Sequence, residues 1–271
     1  MFAQSHVGFI GGGNMGEALI KGLLSTSLLQ PGQVSVFDVA PARLDYLEGT
    51  YGVQLSQGIP ALAADSTVII LAVKPQIMSA VLKELHSSIS PGQLVISIAA
   101  GIPMATLAKG LPEGLPIVRV MPNTPALVLE GASALSRGPH VTDQQMQMAL
   151  ALFRAVGKAM EVEEKWMDTV TGLSGSGPAY VLLLIEALID GGVLMGLPRP
   201  VARELVLQTM LGTVKMAQET GKHPAELKDM ITSPGGTTIR GLAVMEEQNV
   251  RGALIRAVEA ATLRSRELGK G

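Results

Sequence analysis

The sequence predicts an α/β domain built on a doubly wound, mostly parallel sheet and followed by an all-helical domain. Three observations carry this. Short β-rich apolar runs alternate with helical segments over the first 160 residues, a glycine cluster follows the first run and opens a helix, and past about Glu163 only helical windows continue. The expected boundary lies between residues 162 and 163, giving domains at 1–162 and 163–271 of the 271-residue chain.

Five strands are expected, at 7–10 (VGFI), 34–37 (VSVF), 67–73 (TVIILAV), 94–99 (LVISIA) and 117–121 (IVRVM). The run from Thr67 to Val73 shows no polar alternation after its first residue, as a strand covered on both faces should. Helical windows follow at 165–174, 178–195, 200–220, 224–231, 236–247 and 250–267, and Pro178, Pro200 and Pro224 each suit a first helical turn, where a missing N–H costs nothing. The window 178–195 is apolar nearly all round, so a domain of this size needs a partner subunit to cover it. Charge density roughly doubles along the chain, from nine basic and nine acidic residues in the first 160 to 12 and 14 in the remaining 111.

Composition removes several classes of function. Lys+Arg 21 against Asp+Glu 23 leaves no basic surplus for nucleic acid. The absence of cysteine excludes disulfides, a thiol nucleophile and thiolate metal sites, and His6, His86, His140 and His223 are too scattered to suggest a metal centre. Redox chemistry would have to come from a bound cofactor. No membrane-spanning stretch is read, because the apolar runs are interrupted, as by Glu186 and Asp190 in the run 178–197; no leader is read at the start, and a cytoplasmic location is expected.

The first strand leads into Gly11-Gly12-Gly13-Asn14-Met15-Gly16, with Gly11, Gly13 and Gly16 at the G-x-G-x-x-G spacing before a helix. That order is the Rossmann-type dinucleotide fingerprint, in which the helix N-terminus presents N–H groups to a pyrophosphate. Asp38, at the end of the second strand, is placed to accept bonds from adenosine ribose hydroxyls, which favours NAD(H), or to cap the next helix. Arg43, five residues on, would grip the 2′-phosphate of NADP(H), so the cofactor is NADP(H) or NAD(H). Val73, Lys74 and Pro75 end the 67–73 run, and Ala100 ends the next, both at carboxyl ends of parallel strands.

The strings Arg119-Val-Met-Pro-Asn-Thr-Pro125, GLSGSGPAY (172–180), DGGVLMGLPR (190–199) and TSPGGTT (232–238) resemble pyrroline-5-carboxylate reductase, and the resemblance runs from the glycine loop to about Leu268. It implies a helical dimerisation domain after the Rossmann domain, a homodimer that can assemble further into a decamer, and NAD(P)H-dependent reduction of a small cyclic imine acid to proline. Carried over position by position, the cofactor pocket falls on Gly11 to Met15, Val73, Lys74, Ala100 and the Asn123-Thr124 turn. Substrate contacts fall on Glu164, Ser233, Gly236, Thr237 and Thr238. Two positions depart from the family pattern: Ile59 stands where an Asn is usual, and Met230 where some relatives are polar.

The turn Ser233-Pro-Gly-Gly-Thr-Thr238 would offer free N–H groups and hydroxyls to a carboxylate, the alternative being that Ser233 and Thr237 only cap the helix. Thr238 is the candidate catalytic residue, as hydrogen-bond partner of the imine nitrogen. Glu164 would steady a cationic imine, unless the run Glu161-Val-Glu-Glu164 is a solvated face. Competing readings are a reductase of another cyclic imine or oxo acid on this architecture, and a nucleotide-binding sensor without turnover. The β-hydroxyacid dehydrogenases place a catalytic lysine on an interdomain helix, and the window after Pro178 holds none.

Overall fold

A computed structural model describes Phe2 and Ser5–Gly269. Two compact units divide the chain: one runs through Ser176 and takes in the residues from Ala260, and the other spans Gly177–Glu259.

The first unit is a single sheet of eight strands: β1 (Val7–Ile10), β2 (Val34–Phe37), β3 (Gln54–Leu55), β4 (Val68–Leu71), β5 (Leu94–Ser97), β6 (Ile117–Met121), β7 (Gly131–Arg137) and β8 (Gly157–Glu161). Their order is β3-β2-β1-β4-β5-β6-β7-β8, and every pairing is parallel except β6 with β7. All five strands expected from sequence form, and β3, β7 and β8 add to them. The helices of this unit are α1 (Asn14–Ser25), α2 (Pro41–Tyr51), α3 (Ile59–Asp65), α4 (Met78–His86), α5 (Met104–Gly110), α6 (Asp143–Arg154) and α7 (Met167–Val170).

The strand sequences explain why both faces are covered. Val7 and Phe9 of β1 belong to one core cluster with Leu19, Leu23 and Phe153, while Ile10 belongs to the other with Leu82, Leu85 and Leu107. On β4, Val68 and Ile70 face the first cluster and Ile69 and Leu71 the second. Continuous apolar runs are the expected pattern when successive side chains enter different cores. Strand order reverses between β1 and β4, and the register Ile10↔Phe37 and Ile10↔Leu71 brings the carboxyl ends of β2, β1 and β4 level. In open α/β sheets such a reversal leaves a crevice for ligand.

The second unit contains α8 (Gly177–Leu194), α9 (Arg199–Thr220), α10 (Pro224–Ile231), α11 (Thr237–Glu247) and the first half of α12 (Val250–Gly269). Every expected helical window is helical, with one difference. Residues Thr171–Gly175 form a π-helical turn, closed by Ser176 N–H donating to the Thr171 carbonyl (2.8 Å). A β-carbon at Gly175 would stand 2.6 Å from the terminal methyl of Met121 on β6, so a larger residue there would make that flexible side chain move.

Within the chain no residue of α8 is buried; Leu182 and Leu183 are 64% and 66% exposed. By length and composition alone, Glu164–Leu194 is long and apolar enough to cross a membrane.

Candidate active site

The glycine loop is fastened on both sides. Gly11 N–H donates to the Phe37 carbonyl (2.8 Å), and Gly12 N–H donates to Asp38 Oδ2 (2.8 Å). The three motif glycines are then glycine for different reasons. Gly11 has φ +100°, and a β-carbon there would lie 2.5 Å from the Ala72 carbonyl oxygen of the β4 end. At Gly16 a β-carbon would meet the Gly11 carbonyl oxygen at 2.7 Å, which would force α1 off the loop. Gly13 is different. Its φ of −64° suits any residue, and among the described residues no atom beyond its chain neighbours and its own helix lies within 4 Å of the place its β-carbon would take. Packing and backbone geometry do not require a glycine here, whereas close approach of a ligand does.

Gly13 is also the N-cap of α1, and no side chain caps it; the first amide to find a helical acceptor is Glu17, which donates to the Gly13 carbonyl (2.9 Å). Uncapped amides at the amino end of a twelve-residue helix form an anion-binding arrangement. Asn14 is exposed and Met15 half-buried beside the core.

Asp38 is anchored by backbone: besides Gly12 N–H, its Oδ1 accepts from Ala40 N–H (3.0 Å). Each oxygen keeps a lone pair for a further donor. Arg43, in the first turn of α2, donates from Nε to the Gly12 carbonyl and pairs with Glu17, with its guanidinium 5.1 Å from the Tyr46 ring centroid. Glu17 also accepts from Tyr51 (2.8 Å) and Tyr46 (3.0 Å). Burial pushes the Glu17 carboxyl up, but the hydrogen bonds from Arg43, Tyr51 and Tyr46 outweigh it and hold it below its ordinary value. Burial, with the Glu17 carboxylate next to it, pushes the Tyr51 hydroxyl up to about 12.

At the β4 end, Val73 packs against Gly11, while Lys74 and Pro75 are exposed and lead into a short 3₁₀ turn. Ala100 is exposed after β5. Asn123 ties its surroundings together: its Oδ1 accepts from Ala132 N–H (2.8 Å) and its Nδ2 donates to the Ser174 carbonyl (3.0 Å). Thr124 opens the 3₁₀ turn that follows. Ile59 is a buried member of the second core cluster, so the position departing from the family pattern is occupied by packing.

Glu164 is not simply a solvated face. Its Oε1 accepts from Met104 N–H at the start of α5 (2.6 Å) and from Arg119 (3.2 Å), an arginine only 6% exposed on β6. Together with Gly101, Pro103, Lys165, Asp168 and Arg266, Glu164 and Arg119 line a cavity of about 440 Å³.

In the second unit, Gly235 (φ +66°) turns the chain and Gly236 N–H donates to the Ser233 carbonyl (3.0 Å), so that Gly236 becomes the N-cap of α11. The N-cap position itself is this glycine, which has no side chain to cap the helix. Ser233 and Thr237 are exposed and Thr238 half-buried. Met230 is exposed on α10.

The sequence reading did not single out Glu17, Tyr46, Tyr51 or Arg119. Glu17 carried one usable signal: an acid in the first turn of a helix expected to hold an anion invites the question of what neutralises it.

Comparison with known proteins locates the chain among relatives. A family model described as pyrroline-5-carboxylate reductase dimerisation matches residues 164–268, and one described as NADP oxidoreductase coenzyme F420-dependent matches residues 6–101. A pyrroline-5-carboxylate reductase of Methanosarcina acetivorans is 48% identical, over 98% of this chain and 99% of that one. A solved structure of a pyrroline-5-carboxylate reductase from Coxiella burnetii superposes with a TM-score of 0.94 at 37% identity, covering 99% of this chain and 100% of that one. A pyrroline carboxylate reductase from Plasmodium falciparum, solved with NADP bound, gives 0.89 at 35%, with 98% of each chain covered.

Proposed function

The chain belongs to the pyrroline-5-carboxylate reductase family, and from that premise we propose how its own residues serve the reduction of 1-pyrroline-5-carboxylate to L-proline by NAD(P)H, the last step of proline biosynthesis. The observation that carries the proposal is the coincidence, at the G-x-G-x-x-G turn, of a glycine that neither backbone angle nor packing requires with the amino end of α1.

The residues at the sheet's reversal point fit a dinucleotide. Gly11, Gly12, Gly13, Asn14, Met15 and Gly16 receive the pyrophosphate, and Asp38 and Arg43 flank the adenosine ribose. Val73, Lys74 and Pro75, with Ala100, Asn123 and Thr124, line the remaining length; the Asn123 side chain, held by Ala132 N–H and the Ser174 carbonyl, keeps one lone pair and one N–H for a further bond. When bound, the dihydronicotinamide supplies the hydride that the imine carbon takes, while the ring nitrogen ends protonated.

The protein's part is placement and charge. Amides at the start of α11 with the hydroxyls of Ser233 and Thr237 hold the substrate carboxylate, and Gly236 leaves room for it. Thr238 bonds the ring nitrogen and fixes its orientation, since a threonine hydroxyl is too weak an acid to drive the proton transfer. Holding the reacting carbons about 3–3.5 Å apart supplies much of the acceleration. Glu164 spends one oxygen on Arg119 and Met104, and its second remains for a cationic imine.

A second copy of the chain covers the apolar face of α8, giving a homodimer from which a decamer can be built, and the enzyme works in the cytoplasm. The test follows absorbance at 340 nm with pyrroline-5-carboxylate, the unsubstituted pyrroline and a six-membered imine acid. The proposal expects pyrroline-5-carboxylate to lead by orders of magnitude in kcat/KM; equal rates would break the substrate assignment.

A further inference from the structure

Glu17 poses a physical problem. It adds a negative charge to the first turn of the helix whose amino end is built to receive an anion. Its surroundings show what it holds. Arg43 is clamped at two points, by the Glu17 carboxylate and by the Gly12 carbonyl, and its guanidinium lies over Tyr46. Tyr46 and Tyr51 lock the carboxylate from the α2 side. The pair is largely screened from water, with side-chain exposures of 25% and 19%, so its charges interact more strongly than a surface pair would.

Gly12 is where the opposing groups meet. Its N–H is held by Asp38 and its carbonyl by Arg43, so both side chains border the same short piece of backbone. Around it stand two carboxylates and one guanidinium, a net charge of −1. A ribose with free hydroxyls can donate to the unused lone pairs of Asp38. A 2′-phosphate, with a charge of about −1.5 to −2, would meet Asp38 directly and an arginine whose charge Glu17 already balances.

We propose that Glu17 is a specificity-determining residue, which holds Arg43 against the glycine loop and so withholds its charge from a 2′-phosphate, making NADH the preferred reductant over NADPH. This rests on the reading of the chain as an NAD(P)H-dependent reductase. The two ends of the ion pair then have opposite consequences. Removing the Glu17 charge releases Arg43 to a phosphate, whereas removing Arg43 leaves two uncompensated carboxylates beside the ribose.

Equilibrium titration calorimetry of NADH and NADPH against wild type, Glu17→Gln and Arg43→Gln tests this without turnover, and kcat/KM for each nucleotide accompanies it. Wild type should bind NADH more tightly. Glu17→Gln should move the Kd ratio about tenfold toward NADPH, and Arg43→Gln should move it by a similar factor toward NADH. A general loosening of α1 against α2 would weaken both nucleotides together and cannot produce opposite shifts. Wild type favouring NADPH, or variants whose ratios stay within twofold of wild type or shift in one direction, would overturn the proposal. Should one variant fail to fold, the other decides alone, because each carries its own signed expectation. Failure of the underlying reading looks different: neither nucleotide binds, or both bind and pyrroline-5-carboxylate is not reduced.

Discussion

Substituting the three motif glycines one at a time by alanine separates what the fold needs from what the ligand needs. At Gly13 the backbone (φ −64°, ψ −176°) already suits alanine, and among the described residues nothing beyond its chain neighbours and its own helix lies within 4 Å of the new methyl. Losing a glycine N-cap costs some tenths of a kcal/mol to about 1, and the stiffer unfolded chain returns about 0.4–1. The Tm of Gly13→Ala without nucleotide should therefore stay within about 3 °C of wild type. On the proposed reading, the same methyl occupies the space into which a pyrophosphate comes. Lengthening one or two charge-assisted hydrogen bonds, each worth about 1.5–3 kcal/mol, should weaken nucleotide binding by about 10- to 100-fold or more. Gly16→Ala should behave in the opposite way. Its β-carbon would sit 2.7 Å from the Gly11 carbonyl oxygen, so relief requires a backbone shift costing about 1–3 kcal/mol and a clear fall in Tm. Differential scanning calorimetry without ligand, paired with titration of NADH, measures both quantities. A Gly13→Ala protein that binds nucleotide as wild type does, or is destabilised as much as Gly16→Ala, would refute the reasoning that the space over Gly13 belongs to a ligand.

Further expectations follow from the same geometry. Thr238→Val should lower kcat about tenfold, the worth of one hydrogen bond, and leave nucleotide Kd unchanged; an unaltered kcat/KM would remove Thr238 from the mechanism. Glu164→Ala leaves Arg119, 6% exposed, without its carboxylate and Met104 N–H without its acceptor, so it should cost about 1–3 kcal/mol, discounted toward the lower end because Glu164 itself is partly exposed; an unshifted denaturation midpoint would contradict the bracing role. Glu17 has a lowered folded pKa, so its contribution is present above the ordinary carboxylate range and is lost as pH falls through the depressed value. Tyr51 is raised, so its contribution is complete below about pH 10 and fades as pH climbs through about 12. The Tm difference between wild type and Glu17→Gln, measured across pH, should accordingly narrow at both extremes. Leu183→Glu, on the open face of α8, should shift the protein toward monomer by light scattering, and an unchanged mass would place the subunit contact elsewhere.

Elements whose signal is local can be read from the chain alone. Strands at 7–10, 34–37, 67–73, 94–99 and 117–121 could be read because their side chains enter two cores alternately, which leaves unbroken apolar runs. The helices past residue 163 were legible from proline at their first turns. The strands β7 (GASALSR) and β8 (GKAME) were not, since small residues, Lys158 and Glu161 carry little strand signal, and their pairing partners are supplied by the rest of the sheet. The chemistry divides in the same way. The glycine spacing and the TSPGGTT turn at 232–238 are short motifs, and both can be read from the chain alone. Which glycine the fold requires and which it leaves to a ligand depends on the Ala72 carbonyl, the Gly11 carbonyl and the open space above residue 13. The Glu17–Arg43 pair spans 26 residues and the Glu164–Arg119 pair 45, and each forms only when two elements pack side by side. An ion pair or a steric clash is a function of distance in space. For residues far apart along the chain, only the tertiary structure decides that distance.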